Sequence, residues 1–121
     1  MKFNLFLCLT FVSFLGYSQS EASHWYFGSG AGLIFDVNTG TVTSTPAAAS
    51  TINTNEGCSS ISDFNGNLLF YTDGITVFNK LHQPMSNNDL FGDPSSTQSA
   101  IVIPKPDDLN IYYIFTVDTS A

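Results

Sequence analysis

Five consecutive residues of this chain have the types and spacing of a cation loop. Asp63-Phe64-Asn65-Gly66-Asn67 places side-chain oxygens at alternating positions, as a loop that wraps a calcium ion does. The longer run of ligands and the closing Glu of an EF-hand loop are missing. Asn65-Gly66 is also the dipeptide of a type I′ hairpin turn, whose two central residues both take positive φ. The turn accounts for these residues without a metal, and weak calcium binding at Asp63 stays an open question. Glu56, Asp63, Asp73 and Asp118 have the chemistry for glycoside cleavage, which needs two carboxyl groups brought together in space. Nothing in their spacing selects a pair.

The other reactive side chains read as structural. His24 and His82 lack metal-ligating partners at i+2 or i+4, so each is expected as a partly exposed aromatic contact. Cys58 has neither a neighbouring His nor a second Cys beside it, and is expected as a buried, inert thiol. Ser59, Ser60, Ser95 and Ser96 lack the strand-to-helix elbow of a nucleophile. Gly28-Ser29-Gly30-Ala31-Gly32 has the wrong third spacing for a dinucleotide loop and is followed by a strand, which favours a glycine-rich bend. Trp25, Tyr26 and Phe27 could stack on a sugar, but filling the space between sheets is favoured. No residue is therefore assigned to catalysis, cofactor binding or a metal, no cofactor is expected, and the chain is read as a non-enzyme.

The elements that carry these residues are strands. Apolar and β-branched runs at His24–Phe27, Leu33–Val37, Thr41–Thr45, Cys58–Asp63, Leu68–Thr72, Ile75–Asn79, Ser99–Ile103 and Ile111–Val117 are separated by turn residues. Asn65-Gly66 and Asp73-Gly74 predict tight two-residue connections, and Asp107–Asn110 a further turn. Pro104 ends its strand. Ala47–Asn55 and Lys80–Thr97 read as connecting loops. Leu68-Leu69-Phe70-Tyr71 is continuously apolar, as suits a strand covered on both faces. The later hairpin repeats the earlier one: Ser60-Ile61 aligns with Ser99-Ala100-Ile101, Asn67 with Asn110, and Phe70-Tyr71-Thr72 with Ile114-Phe115-Thr116. A period of roughly 40–45 residues is that of four-stranded propeller blades. No window has helical periodicity outside the N-terminal run.

Of the 121 residues, three are basic and ten acidic, and none is arginine. Lys2 followed by the apolar run Phe3–Leu15 and Gly16-Tyr17-Ser18 reads as a secretory signal, cleaved after Ser18 or after Ser20. The run is shorter than the ~20 residues of a spanning helix, so no membrane insertion is expected after cleavage. Cys8 lies inside that run and is not expected to be lipidated. Without Lys2 the charge becomes 2 − 10 = −8. Nucleic acid is excluded as a partner by that balance. A single cysteine, Cys58, remains after cleavage, so no internal disulfide is expected and apolar burial must hold the chain together.

Several strings go further. WYFG at Trp25–Gly28 with AGL at Ala31–Leu33, EGCSSISDFNGNLLFYTDG at Glu56–Gly74, ITVFN at Ile75–Asn79 and PSSTQSAIVIPKP at Pro94–Pro106 carry a resemblance. The chain resembles, from Ala22 to Asp118, the opening of the large secreted surface proteins of gliding Bacteroidetes. Those proteins end in a gliding-motility-associated (type B) sorting domain for type IX secretion. The resemblance implies an N-terminal β-propeller, placement at the cell surface or in the medium, and a role in adhesion or ligand binding. Family members run to many hundreds of residues with further blades, so the chain is expected to be a fragment. Type IX export is implied only for a longer protein.

These readings combine into an all-β chain: a signal peptide over 1–18, then an incomplete propeller region over 19–121 of two to three antiparallel blades. The expected function is non-enzymatic adhesion or binding of a glycan or surface protein. A partial propeller of a polysaccharide-acting enzyme and a structural spacer are the alternatives.

Overall fold

The computed structural model describes residues 20–45, 50–86 and 90–118. The expected signal peptide lies outside these residues. Among them the fold is all-β with no α-helix: eight strands form three small antiparallel sheets. The first sheet contains β1 (His24–Tyr26), β2 (Gly32–Phe35) and β3 (Val42–Ser44). The second contains β4 (Ser59–Ser62), β5 (Leu68–Thr72) and β6 (Val77–Asn79). The third is the hairpin of β7 (Ala100–Lys105) and β8 (Asp108–Thr116). Each sheet is a meander in chain order, and β1 lies against β4, as β4 lies against β7.

The turns differ from those expected. Between β4 and β5, only Gly66 has positive φ (85°), and Gly66 N–H donates to Asp63 O at 2.9 Å while Asp63 N–H donates to Asn67 O at 2.8 Å. This is a five-residue connection with a single left-handed glycine, not a type I′ turn on Asn65-Gly66. The link from β5 to β6 is likewise longer than two residues, because Asp73 Oδ1 accepts from the N–H groups of Ile75 (2.9 Å) and Thr76 (2.7 Å). Pro104 does not end its strand. Since β7 pairs only with β8, the missing N–H falls where a ladder bond can be spared, and the strand continues to Lys105. The turn is then Pro106-Asp107, with Asp107 at φ 62°, and β8 starts at Asp108 rather than Ile111.

The stretch expected as a loop from Lys80 to Thr97 holds no strand among its described residues, but parts of it bond to β6 and to the turn before it. After a turn in which Asn79 N–H donates to Gln83 O (2.9 Å), the chain returns along β6. Pro84 bridges Phe78, Met85 N–H donates to Val77 O (2.9 Å), Leu90 N–H to Ile75 O (2.8 Å) and Gly92 N–H to Gly74 O (2.9 Å). The second sheet is thus sheathed on its outer edge by its own connection.

The core sits between the first two sheets. Tyr26, Ile52, Leu68, Tyr71 and Phe78 form one buried cluster, with Cys58 packed against it. Ile52 comes from the segment expected as a polar loop, yet it is buried in that core. Strand alternation sends Tyr71 toward the first sheet, where its ring lies 4.6 Å from Tyr26 and 5.2 Å from Phe78. Phe70 points the other way and meets Tyr112 of the third sheet at 5.4 Å. The aligned repeat is therefore one position out of phase. Phe115, aligned with Tyr71, faces outward at 55 % exposure, whereas Tyr71 is fully buried. A one-residue slip exchanges the faces of a strand, and pattern matching by residue type does not detect it.

Candidate functional site

Each junction between sheets is stitched by a small side chain at the entrance of a first strand. Ser23 Oγ donates to Gly66 O at 2.9 Å, Cys58 Sγ to Tyr26 O at 2.7 Å, and Ser99 Oγ to Gly57 O at 2.6 Å. Ser60 Oγ adds a bond to His24 O. Burial pushes the Cys58 thiol up, and the charge of Asp73 adds to the effect. Cys58, expected as buried, is partly buried, packs against the core and bonds a main-chain carbonyl through its thiol.

The two histidines also serve these junctions. His24 Nδ1 lies 3.2 Å from Ser23 Oγ and 3.0 Å from Ser62 Oγ, and desolvation lowers its pKa. Ser23 donates to Gly66, so its hydroxyl can bond Nδ1 only as an acceptor; that requires a protonated Nδ1, from which Ser62 Oγ then also accepts. His82 Nδ1 lies 3.0 Å from the Tyr71 hydroxyl, which is also 3.2 Å from Thr51 Oγ1. Tyr26 and His82 meet edge to face, with ring centroids 6.1 Å apart. These networks satisfy a buried phenol and an inter-sheet imidazole.

The acidic candidates are dispersed. Asp63 Oδ1 accepts from the N–H groups of Asn65 (2.9 Å) and Asn67 (2.9 Å), and Oδ2 from the Asn67 amide (3.0 Å). Those bonds, led by the Asn67 side chain, hold its carboxyl below the usual range. Asp73 holds its own turn, and Glu56 Oε2 accepts from Thr97 Oγ1 at 2.9 Å. Asp118 lies beyond the end of β8. Among the described residues, no three His, Cys, Asp or Glu side chains are grouped to hold a metal ion. Ser59 and Ser60 belong to β4, Ser95 and Ser96 to the turn after Asp93, and the glycine-rich run joins β1 to β2.

The aromatic run is split by strand alternation. Tyr26 is core, but Trp25 (48 % exposed) and Phe27 (42 %) are not, contrary to expectation. Trp25 faces away from the second sheet, 4.9 Å from Phe35, with its indole N–H on Ala22 O at 2.9 Å.

One concavity between the second and third sheets combines aromatic and polar groups. A cavity of about 410 Å³ opens between the β4–β5 and β7–β8 turns, lined in part by Glu21, Asp63, Phe64, Leu109, Asn110 and Tyr112. Phe64 stands 69 % exposed at its edge. Its volume is within the ~300–1,000 Å³ of small-ligand sites. Phe64 and Tyr112 were not picked out from the sequence, because only the docking of the third sheet brings residues 110–112 beside residues 62–64. Glu21, in a short 3-10 turn, comes from a third place in the chain. No helix among the described residues is long and apolar enough to cross a membrane. Comparison with protein-family models, with curated proteins and with solved structures gave no match to this chain.

Proposed function

We propose that this chain is an exported, non-enzymatic β-propeller module of a cell-surface or secreted protein, serving adhesion through ligand binding and linked to type IX secretion or gliding. The observation that carries the architecture is the succession of first strands. β1, β4 and β7 lie side by side in chain order, each at the start of its own antiparallel sheet, and a small side chain before each of them bonds across a junction to a neighbouring sheet's main chain. A succession of this kind supports a reading as radially arranged blades, with the segment that bonds beside β6 standing where a fourth strand would be. Export and surface placement rest on the N-terminal run and on the resemblance.

The cleft between the β4–β5 and β7–β8 turns is the binding site in this reading. Phe64 offers an exposed ring for the apolar face of a sugar, with Glu21 and Asn110 placed to bond hydroxyl groups. Neutral glycans suit a chain of net charge −7, which repels anionic ones. The test is binding of the chain to an array of neutral and acidic oligosaccharides, repeated with Phe64→Ala. The expected result is retention of neutral glycans and a loss of at least tenfold in affinity for the variant, about 1.4 kcal/mol. Binding that is absent, or indifferent to Phe64, would refute this site.

A further inference from the structure

The cleft between the second and third sheets holds two acids without a base. Glu21 and Asp63 line it, and no lysine or histidine does. Lys105, next to the lining Pro104, is tied to Asp108 at 3.4 Å, so its charge is already offset. Asp63 is kept ionised by its own loop: bonds from the Asn67 side chain and from the turn N–H groups hold its carboxyl below the usual range. Oδ1 accepts from Asn65 N–H and from both the N–H and the amide of Asn67, whereas Oδ2 accepts from the Asn67 amide alone, at 3.0 Å. That leaves Oδ2 with a free lone pair. Glu21 makes no side-chain bond among the described residues, yet its place is fixed. Ser23 N–H donates to Ser20 O at 3.1 Å and closes the turn that carries Glu21. Ser23 Oγ then ties that turn to the Asp63 loop through Gly66 O at 2.9 Å.

We infer that the sugar taken by this cleft carries a free amino group, held as its ammonium by Glu21 and Asp63 while Phe64 covers the apolar face of the ring. The inference rests on the glycan reading of the site and narrows it. A hydroxyl brings only a dipole to two carboxylates. An ammonium brings a full charge and three donors, and Glu21 and Asp63 Oδ2 are the acceptors left open to them. The exposed ring of Phe64 acts in the same direction, because its quadrupole attracts a cation near its face. A lysine side chain carries the same charge, but one stem leaves most of a cleft of about 410 Å³ unfilled. A pyranose presents an apolar face and an amine together, which matches aromatic and acidic groups lining one concavity.

Calorimetric titration tests the inference with two probes, the β-1,4-linked disaccharide of glucosamine and its N-acetylated form. The pH is set so that the amines are protonated and the carboxylates ionised. The amino form should bind at least about tenfold more tightly at low salt, and added salt should narrow the preference. Glu21→Gln keeps the shape of an exposed side chain and removes its charge, so the fold should survive while the preference drops at least about threefold. Asp118→Asn removes one charge beyond the far end of β8 and should leave the preference unchanged. Equal affinity for the two forms, a preference for the acetylated one, or a preference that Glu21→Gln leaves intact overturns the inference. An equal drop in Asp118→Asn does so too, because the chain's overall charge would then be the cause. The glycan reading survives any of these results if binding still depends on Phe64. A lysine tripeptide that binds more tightly than the amino sugar also overturns the inference, in favour of a peptide ligand. Failure of both disaccharides to bind, or binding indifferent to Phe64→Ala, defeats the glycan reading and the inference with it.

Discussion

A main-chain N–H inside a hairpin turn has no ladder partner, and an aspartate at the turn's first position can supply one. This chain uses that device repeatedly. Asp36 accepts from Asn38 and Thr39, Asp63 from Asn65 and Asn67, Asp73 from Ile75 and Thr76, and Asp93 from Ser95. Much of the acidity is therefore turn chemistry. These bonds favour the charged form, so the carboxyls of Asp36 and Asp63 sit below their ordinary value of 3.8. Their stabilisation is complete above that value and is lost as pH falls through it toward the folded pKa. His24 adds an earlier step. Its folded pKa lies below 6.5 because burial disfavours the cation, so the unfolded chain takes up the proton first, and stability falls as pH drops below about 6.5. Denaturant unfolding between pH 3 and 8 should show a plateau above 6.5 and two declines below it. His24→Gln should remove the upper decline and leave the lower one; an unchanged upper decline would assign it elsewhere.

Turns and strand entrances do different work, and glycine substitutions separate them. Gly40, at φ 68° in the β2–β3 turn, has nothing within 4 Å of where a Cβ would stand. Gly40→Ala should therefore cost only the ~1–2 kcal/mol of a left-handed alanine. Gly57 sits where the second sheet meets the segment entering the third. A Cβ there would lie 2.4 Å from Ser99 N and 2.8 Å from Ser96 O, both main-chain atoms that cannot swing aside. The Ser99 Oγ bond to Gly57 O crosses the same junction. Gly57→Ala should cost more than Gly40→Ala, on the order of 3 kcal/mol, and should loosen the third sheet in particular. Urea unfolding of the two variants gives the comparison, and hydrogen exchange on β7 and β8 localises the loss. Equal costs would mean that the junction yields easily.

Across the molecule, cohesion comes from one aromatic core between the first two sheets and a looser contact to the third. Tyr71 joins the core to the hydrogen-bond network: its ring packs against Tyr26 and Phe78 while its hydroxyl meets Thr51 and His82. With that core and with Asp63 already satisfied by its own loop, a bound cation has no evident part in holding the sheets. Adding a calcium chelator should leave the melting temperature unchanged within about 2 °C. A ligand at a hundred times its Kd contributes about 2.7 kcal/mol to stability, so a large drop would expose a calcium site.

Local chemistry made part of this legible. The bounds of β5, Leu68–Thr72, are readable directly, since a strand and its flanking turn residues are specified by neighbours in sequence. The all-β class follows from the same kind of signal. The type of turn at Asn65-Gly66 was less legible, because several loops use that dipeptide and the bulge at Ile61/Ser62 helps to choose among them. The cleft was not legible, being assembled from Glu21, residues 62–64 and residues 109–112. By itself, then, the sequence determined the all-β class and the main extended runs, while the bounds of β7 and β8 and the types of the turns needed the partner strands. Tertiary structure alone decided which side chains face the core, making Tyr71 interior and Phe115 exterior on strands of similar composition. The reason is physical: alternation assigns residues to two faces, but only a neighbouring sheet makes one of those faces an inside.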